Sequence, residues 1–202
     1  MKPWSRASPR DYARLDLRAH QLLADVPLHD VWQLELPGGG DQRSIADVRC
    51  LMSLDRIGAA NPAVRALLGL RALLGRIFHW DSPDSLPTPG SLANRLTEED
   101  VRRSLAEPGS LDGQGPFRVL YVDRFEAINE IRNATVYACS VIALQPRPGG
   151  YRLFWAIHVS PVGRITPYYM ALIDPFRRLV IYPAVLRYVL RAWREQYPET
   201  AP

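Results

Sequence analysis

The chain has 202 residues, of which 47% are hydrophobic and 23% are charged, so it is long enough to bury a core and has the composition of a soluble globular domain. Its formal net charge is +4, but the basic residues are dispersed, which favours a solvated surface over a nucleic-acid-binding strip. No stretch approaches the roughly 18 apolar residues of a membrane-spanning helix, and no apolar run follows the N-terminus. We therefore expect a cytoplasmic protein with no nucleic-acid partner and no membrane span.

The N-terminal residues 1–25 are polar and have only a weak helical period, which predicts a flexible arm or a short helix. Residues 26–197 are predicted to form a single domain. This domain opens with a strand over residues 30–36, where polar and apolar side chains alternate. The three glycines at 38–40 lack the spacing of a phosphate-binding loop, and they predict a turn.

Helices are predicted to follow this first strand. The first, over residues 44–54, places its apolar side chains on one side. The second begins at Asn61 and Pro62, which are typical N-cap and first-turn residues. Residues 81–116 are irregular apart from a short helix that begins at Thr97, and they predict either a lid over a cavity or a plain connection.

The sheet is predicted mainly from the segment that comes next. Strand-forming residues dominate 117–124 and 135–145, and a turn returns the chain along 151–160. Residues 126–131 predict either a short strand or a turn of helix. On the last strand His158 falls on a mixed face, which predicts a surface or locally bonded histidine rather than a catalytic base. The other face is apolar and is predicted to meet the C-terminal helix: Leu153, Trp155, Ile157 and Val159.

The C-terminal segment carries the longest pattern in the chain. Apolar side chains recur there in steps that alternate between four and three residues, which predicts one face of a long helix. Pro175 and Pro183 are expected to bend or split this helix, and its first half, as far as Leu179, is expected to lie opposite the sheet. The stripe consists of Ile165, Tyr169, Leu172, Phe176, Leu179, Pro183, Leu186, Leu190 and Trp193.

Together these elements predict an α+β fold, in which a curved antiparallel sheet grips a long kinked C-terminal helix and helices are inserted after the first strand. Four segments resemble a bacterial family of unknown function: DVWQLELPGG, RALLGLRALLGRIFHWD, IRNATVYACSVIAL and YYMALIDPFRRLVIYPAVLR. That family also occurs as the C-terminal domain behind short-chain-dehydrogenase-like NAD-binding domains. The order of elements is similar to the helix-grip fold of the START-like (SRPBCC) superfamily.

The resemblance covers most of residues 19–195 and implies a deep apolar cavity between the sheet and the C-terminal helix, of the kind that the superfamily uses for hydrophobic ligands. Since this chain has no NAD-binding half, a reductase role would need a separate protein. The side chains expected to line the cavity are Trp155, Ile157, Tyr137, Tyr169, Leu172 and Phe176.

Titratable groups are candidates for acid–base chemistry if they face that cavity. Glu130, Tyr121 and Tyr169 are weak catalytic candidates on this basis. Glu126 and Glu130 lie four residues apart and share one face, and a solvated edge is the simpler interpretation of the pair. The histidines lack metal-binding spacing, the two cysteines predict buried free thiols, and no metal or cofactor is expected.

The sequence therefore predicts a protein that binds a hydrophobic small molecule in a cavity between sheet and helix, as a monomer or a homodimer. Two alternatives remain open. One is an enzyme on the same scaffold, such as a cyclase or isomerase of an apolar natural product, and the other is a non-catalytic protein-interaction module. No catalytic motif in the chain decides among the three.

Overall fold

The fold is taken from a computed structural model, which describes residues 3–52, 54–77, 92–109, 117–132, 135–164 and 166–198. Its strands are β1 (Trp4–Arg6), β2 (Leu28–Pro37), β3 (Arg118–Val122), β4 (Glu126–Arg132), β5 (Tyr137–Arg147) and β6 (Gly150–Ser160). Its helices are α1 (Pro9–Ala13), α2 (Arg18–Leu22), α3 (Ile45–Leu51), α4 (Leu54–Ala60), α5 (Pro62–Ile77), α6 (Glu98–Arg103), α7 (Thr166–Phe176) and α8 (Tyr182–Gln196). A 3₁₀ turn spans Leu92–Arg95, and a π-helical turn spans Arg177–Ile181.

The six strands form one antiparallel sheet in the order β1-β2-β6-β5-β4-β3. The sheet is open and curved, and the long C-terminal helix packs against it, which confirms the predicted α+β fold. The ambiguous segment at 126–131 is a strand, because its main chain pairs with β3 on one side and β5 on the other. None of the described helices is long and apolar enough to cross a membrane.

Local signals place several helix ends where the sequence predicts them. The Asn61 side chain accepts hydrogen bonds from the N–H groups of Ala63 and Val64, at 3.0 and 3.2 Å, and so caps α5. Thr97 and Asp100 cap α6 reciprocally. The predicted helix over residues 44–54 is instead interrupted, so that α3 and α4 are separate. Within the segment proposed as lid or connection, residues 81–91 and 110–116 lie outside the described residues.

The sheet is covered on both faces. The helix face, which includes Leu34, Ile142 and Leu153, packs against α8, and α8 also contacts α3 and α4. The N-terminal face, which includes Val141 and Phe154, is covered by side chains of α1 and α2, among them Tyr12, Ala19 and Leu22. The N-terminal segment that predicted an arm or a short helix thus forms a strand and two short helices laid on the domain.

The two cysteines differ in their surroundings. Cys139 is a buried free thiol on the N-terminal face, as predicted. Cys50 is also free, but it is exposed on α3, so the prediction of two buried thiols is wrong for this residue. The apolar neighbours of Cys50 in the sequence lie on the other side of a short amphipathic helix, which is why composition alone misplaces it.

A glycine turn lets the end of α8 approach the sheet closely. Gly39 has φ +90°, and a Cβ built there would lie 2.8 Å from Cζ2 of Trp193, too close for any larger residue. The Trp193 indole donates a hydrogen bond to the carbonyl of Pro37 at 2.9 Å. The three glycines therefore form a turn, as predicted. Gly39 leaves room for Trp193, which joins the end of α8 to β2.

The C-terminal helix is interrupted before Pro183, as this proline predicts, whereas Pro175 lies inside α7. Pro183 stands in the first turn of α8, and Tyr182 donates its N–H to the carbonyl of Arg177, five residues earlier. This π turn inserts one extra residue, because proline cannot supply the donor that an unbroken α-helix needs. The extra residue rotates α7 relative to α8.

The rotation corrects the predicted stripe in its middle section. The residues that face the sheet from α7 are Tyr169, Met170 and Ile173, followed by Tyr182 in α8. Three residues of the predicted stripe face outward, with exposed fractions of 59% for Leu172, 45% for Phe176 and 77% for Leu179. Ile165 lies outside the described residues. The strict four–three alternation fails here because the π turn inserts a residue, and the sequence pattern does not reveal that insertion.

Candidate functional site

Two irregularities meet beneath the C-terminal helix. In β2 the register shifts so that Leu28 pairs with His158 and Asp30 with Ile157, which leaves His29 as an extra residue in a β-bulge. Because of this bulge, His29 and Asp30 both direct their side chains toward the C-terminal helix. They meet it at the π turn. β-Bulges and π turns are both frequent beside functional sites, so their meeting marks a candidate site.

The side chains at this meeting point form a compact charge cluster. The His29 Nε2 lies 2.8 Å from Asp174 Oδ2, and Arg177 Nη1 donates to Asp174 Oδ1 at 2.9 Å. Arg178 reaches the same carboxylate at 3.3 Å. The Asp30 side chain is fully buried, and its Oδ2 lies 3.6 Å from Arg177 Nη2. Since an ionised carboxylate only accepts hydrogen bonds, His29 carries a proton on Nε2 and donates it to Asp174.

Tyr182 joins the charge cluster to a group of aromatic rings. Its phenol donates to Asp30 Oδ1 at 2.9 Å and accepts a hydrogen bond from Arg177. Burial raises the pKa of Tyr182 far above its usual value, so the group stays a neutral donor. Its ring centroid lies 5.1 Å from that of Trp32 and 4.9 Å from that of Trp155. One side chain thus has a polar end in the charge cluster and an apolar ring against two indoles.

We call the five side chains Trp32, Trp155, Ile157, Tyr169 and Tyr182 the aromatic site. Trp32 and Trp155 stand opposite each other on β2 and β6, and both are half-buried although they point under the helix. The Trp155 indole donates to Ser140 Oγ at 3.0 Å. The Trp32 Nε1 is buried and has no acceptor among the described residues.

The sequence-predicted ligand residues are divided among three places. Trp155, Ile157 and Tyr169 come together at the aromatic site. Leu172 and Phe176 stand on the outer side of α7. Tyr137 lies on the N-terminal face, on the far side of the sheet.

The predicted catalytic groups are also divided. Tyr169 faces the sheet from α7, and its phenol accepts a hydrogen bond from Arg71 of α5 at 3.1 Å. Glu130 and Tyr121 lie on the N-terminal face, where Tyr137 donates to Glu130 Oε2 at 2.6 Å. Tyr121 donates to Asp123, and burial raises the pKa of Tyr121 to about 12. The sheet separates Glu130 and Tyr121 from the aromatic site.

The paired glutamates of β4 are structural anchors rather than a solvated edge. Glu126 and Glu130 are exposed by only 6% and 8%. Glu126 accepts the N–H groups of Arg18 and Ala19, at 2.8 and 3.2 Å. Burial raises the pKa of Glu126. The interpretation of this pair as a solvated edge is therefore wrong, because the N-terminal segment lies over it.

His158 has local partners, as one of the two alternatives for this residue predicts. It is buried, its Nδ1 lies 2.8 Å from the carbonyl of Val26, and its Nε2 lies 3.4 Å from the Tyr12 phenol. A carbonyl only accepts, so the proton is on Nδ1, and Tyr12 is the donor to Nε2. Both nitrogens of the ring thus serve to join the N-terminal segment to β6.

Sequence reasoning missed the charge cluster, although one signal for it is present. Asp30 has the same strand parity as Trp32, Leu34 and Leu36, which places a carboxylate on the buried face. A buried carboxylate is stable only with a cation or hydrogen-bond donors beside it, so Asp30 indicates such partners elsewhere in the chain. No comparable signal points to His29, because its orientation depends on the bulge.

A surface cavity of about 310 Å³ opens beside the charge cluster, where β1 ends and leaves the edge of β2 uncovered. His29 and Asp30 contribute to its wall, so the cluster is adjacent to solvent-filled space. Within the described residues, no group of three or more His, Cys, Asp or Glu side chains is arranged to hold a metal ion. The cavity is lined by Arg6, Ala7, Pro9, Leu28, His29, Asp30 and Val31.

A comparison with known families gives one match. The family model of DUF2867, described as a protein of unknown function, matches residues 22–184. No curated protein and no solved structure matches the chain. The matched region contains the whole aromatic site and the whole charge cluster.

Proposed function

We propose that this chain, which belongs to the DUF2867 family of unknown function, binds a hydrophobic small molecule at the aromatic site, between the helix face of the sheet and α7. The observation that carries this proposal is the uneven burial beneath the helix. Trp193, which projects from α8 toward the sheet, has no exposed surface, whereas Trp32 and Trp155 on the sheet remain half-buried although they point under the helix. Ligand sites are commonly lined by aromatic side chains with a few polar groups, as at the aromatic site.

The polar groups at the site indicate what the ligand carries. The buried Trp32 Nε1 has no acceptor among the described residues, and an unsatisfied buried donor costs about 1–3 kcal/mol. A ligand oxygen placed there would recover that cost. The proposed ligand is therefore largely apolar with a carbonyl, hydroxyl or ether oxygen, held between indole and phenol rings.

The topology supports a relationship to the helix-grip superfamily. β2 pairs with the last strand β6. The helices α3–α5 follow β2 and precede β3 in the chain. The C-terminal helix crosses the helix face of the sheet. In such an arrangement the helix and sheet can separate locally without breaking sheet hydrogen bonds. This supports the space under α7 as the ligand site.

Mass spectrometry under native conditions, on protein purified from its own host, tests the proposal directly by detecting a retained apolar molecule. A cavity-filling variant then tests the position. Ala138→Leu, next to the aromatic site, should abolish retention while leaving stability nearly unchanged, because Ala138 is only half-buried and the proposed ligand space lies beside it. The matched control is Ala143→Leu on the same strand but on the N-terminal face, where Ala143 is exposed by only 2%.

Overpacking a filled core costs about 1–3 kcal/mol, so the control should be destabilised and should keep its ligand. If the two variants are equally destabilised and no ligand is retained by the wild-type protein, the space under α7 is ordinary core and the proposal is wrong.

A second candidate is an enzyme on the same scaffold, such as a cyclase or isomerase of an apolar natural product. The charge cluster favours it, because Asp174 orients His29 beside a cavity, as a general base requires. Once a retained molecule is identified, its turnover by the wild-type protein can be followed. His29→Gln should lower that turnover by roughly 10²–10⁴-fold, the usual contribution of a general base, and unchanged turnover would exclude this role.

A further inference from the structure

The first part of the C-terminal helix has a second apolar face that none of the described residues covers. Four large side chains stand on its outer side, with exposed fractions of 78% for Tyr168, 59% for Leu172, 45% for Phe176 and 77% for Leu179. Their spacing of four, four and three residues places them in one row along the helix. We call these four side chains the outer stripe. Single exposed apolar residues are normal at protein surfaces, but a continuous row of this size marks an interaction site.

The described residues around the outer stripe expose charges of one sign. Arg164 is exposed just before α7, and Arg178 lies in the π turn with 41% of its side chain exposed. The only carboxylate between residues 166 and 181 belongs to Asp174. That carboxylate is 15% exposed and is occupied by His29, Arg177 and Arg178.

The neighbouring helix α5 continues the same pattern. It contacts the π turn, and its Arg71 binds the Tyr169 phenol. Leu70 and Leu73 are exposed by 50% and 53%, and α5 contains arginines but no acidic residue. Within the described residues, exposed apolar side chains accompanied by arginines therefore extend over two adjacent helices.

We propose that the outer stripe docks on an anionic lipid surface. Helices that lie in a membrane interface combine large apolar side chains with arginine or lysine, because the apolar groups enter the acyl boundary while the cations meet anionic headgroups. The exposed fractions are high, so the side chains protrude, as insertion requires, rather than line a groove that would hold a peptide. Docking of this kind needs no membrane-spanning helix.

The charge pattern disfavours a second copy of this chain as the occupant. A two-fold interface places the same surface on both subunits, so arginines around one outer stripe would meet arginines around the other. Like charges brought together in an interface cost several kcal/mol. An anionic surface complements the charges around the outer stripe, whereas the outer stripe of a second copy does not.

Docking on lipid does not depend on the proposed ligand site, but the geometry connects the two. Tyr169 and Ile173 face the aromatic site from the same helix whose opposite side carries the outer stripe. A helix with its side chains is about 10–12 Å across. A molecule leaving the docked lipid surface would thus have to pass only one helix to reach the aromatic site.

Sedimentation of the full chain with lipid vesicles tests the docking. Binding is expected to vesicles that mix phosphatidylcholine with phosphatidylglycerol, to be much weaker with phosphatidylcholine alone, and to fall as salt is raised. The double variant Leu172→Ser and Leu179→Ser should lower the partition coefficient between vesicles and water by about 10- to 100-fold, because two exposed leucine side chains no longer insert into the lipid. Arg164→Gln should lower it by about fivefold, from the loss of one cation near the surface.

Leu105→Ser is the matched control, because Leu105 is 66% exposed but lies beside β3 at the opposite edge of the sheet from β1 and β2. It should bind vesicles as the wild-type protein does. All these side chains are exposed, so the variants should keep the circular dichroism spectrum and melting temperature of the wild type.

Two results would overturn the proposal. One is a wild-type protein that does not sediment with the anionic vesicles, or a double variant that sediments as well as the wild type. The other is a wild-type dimer, detected by light scattering, that the double variant converts to a monomer, since this would assign the outer stripe to a second copy. Retention of an apolar ligand is measured separately, so failure of docking leaves the ligand proposal standing.

Discussion

The two ends of the C-terminal helix lie on the same face of the sheet but contact it through different interactions. At the α8 end, Leu153, Leu186 and Trp193 have no exposed surface, and the Trp193 indole is hydrogen-bonded to β2. At the α7 end, Trp155 is half-buried, and charged groups rather than leucines hold the helix to β2. The comparison teaches that one end supplies packing energy, while the other is held mainly by polar contacts.

The boundary between the two ends is the π turn. It inserts a residue in front of Pro183, and Tyr182 immediately after it reaches the fully buried Asp30. Polar contacts of this kind are directional, so they can position a helix without filling the space beneath it. Separate substitutions at the two ends should therefore have separable effects.

The largest expected effect is at the α8 end. Trp193→Ala should lower the free energy of unfolding by about 3–5 kcal/mol, because a large, fully buried side chain is replaced by a cavity. Trp155→Ala should cost less than half as much while abolishing ligand retention. Urea unfolding of both variants measures the difference, and equal costs would mean that the α7 end is filled core as well.

Asp30→Ala should have the next largest effect, about 3 kcal/mol. It leaves the half-buried Arg177 guanidinium without one of its carboxylates and the Tyr182 phenol without its acceptor. Asp30→Asn is the milder variant, since an amide oxygen can still accept from Tyr182. If both variants unfold at the same urea concentration as the wild type, polar contacts do not hold the α7 end.

Glu126 lies on the N-terminal face of the sheet, which α1 and α2 cover, and so provides a comparison with the opposite face. Glu126→Gln should cost about 1–2 kcal/mol, because the amide can accept only one of the two N–H groups that Glu126 binds. Amide hydrogen exchange should accelerate in α1 and α2 and should not change in α7. Glu99→Gln on the exposed surface is the control and should leave both measurements unchanged.

The smallest effect concerns pH. Burial lowers the pKa of His158 below its ordinary 6.5, so the unfolded chain binds a proton that the native protein does not. The free energy of unfolding should therefore decrease as the pH falls below about 6.5, until the pH reaches the lowered pKa. Unfolding at a series of pH values measures the slope, and His158→Gln should remove this contribution. A slope that persists in the variant would assign the effect to another group.

The sequence by itself determined the local elements of this protein. Side-chain alternation predicted a strand at β2, and at β6 it predicted a strand and the side that meets the helix; these predictions are confirmed. Asn61 and Thr97 predicted helix starts, and Pro183 predicted a break in the last helix. These signals are local, because caps, prolines and side-chain period act within one or two turns of the chain.

Only the tertiary structure decided what α7 and the first residues of β2 meet. One extra residue in the π turn and one in the bulge at His29 reorient their side chains, and hydrophobic period carries no signal for either. As a result, Leu172 and Phe176 face outward, while His29, Asp30 and Tyr182 converge under the helix. Period reports which residues are apolar, whereas contacts between distant segments decide whether an apolar row is core, ligand wall or docking surface.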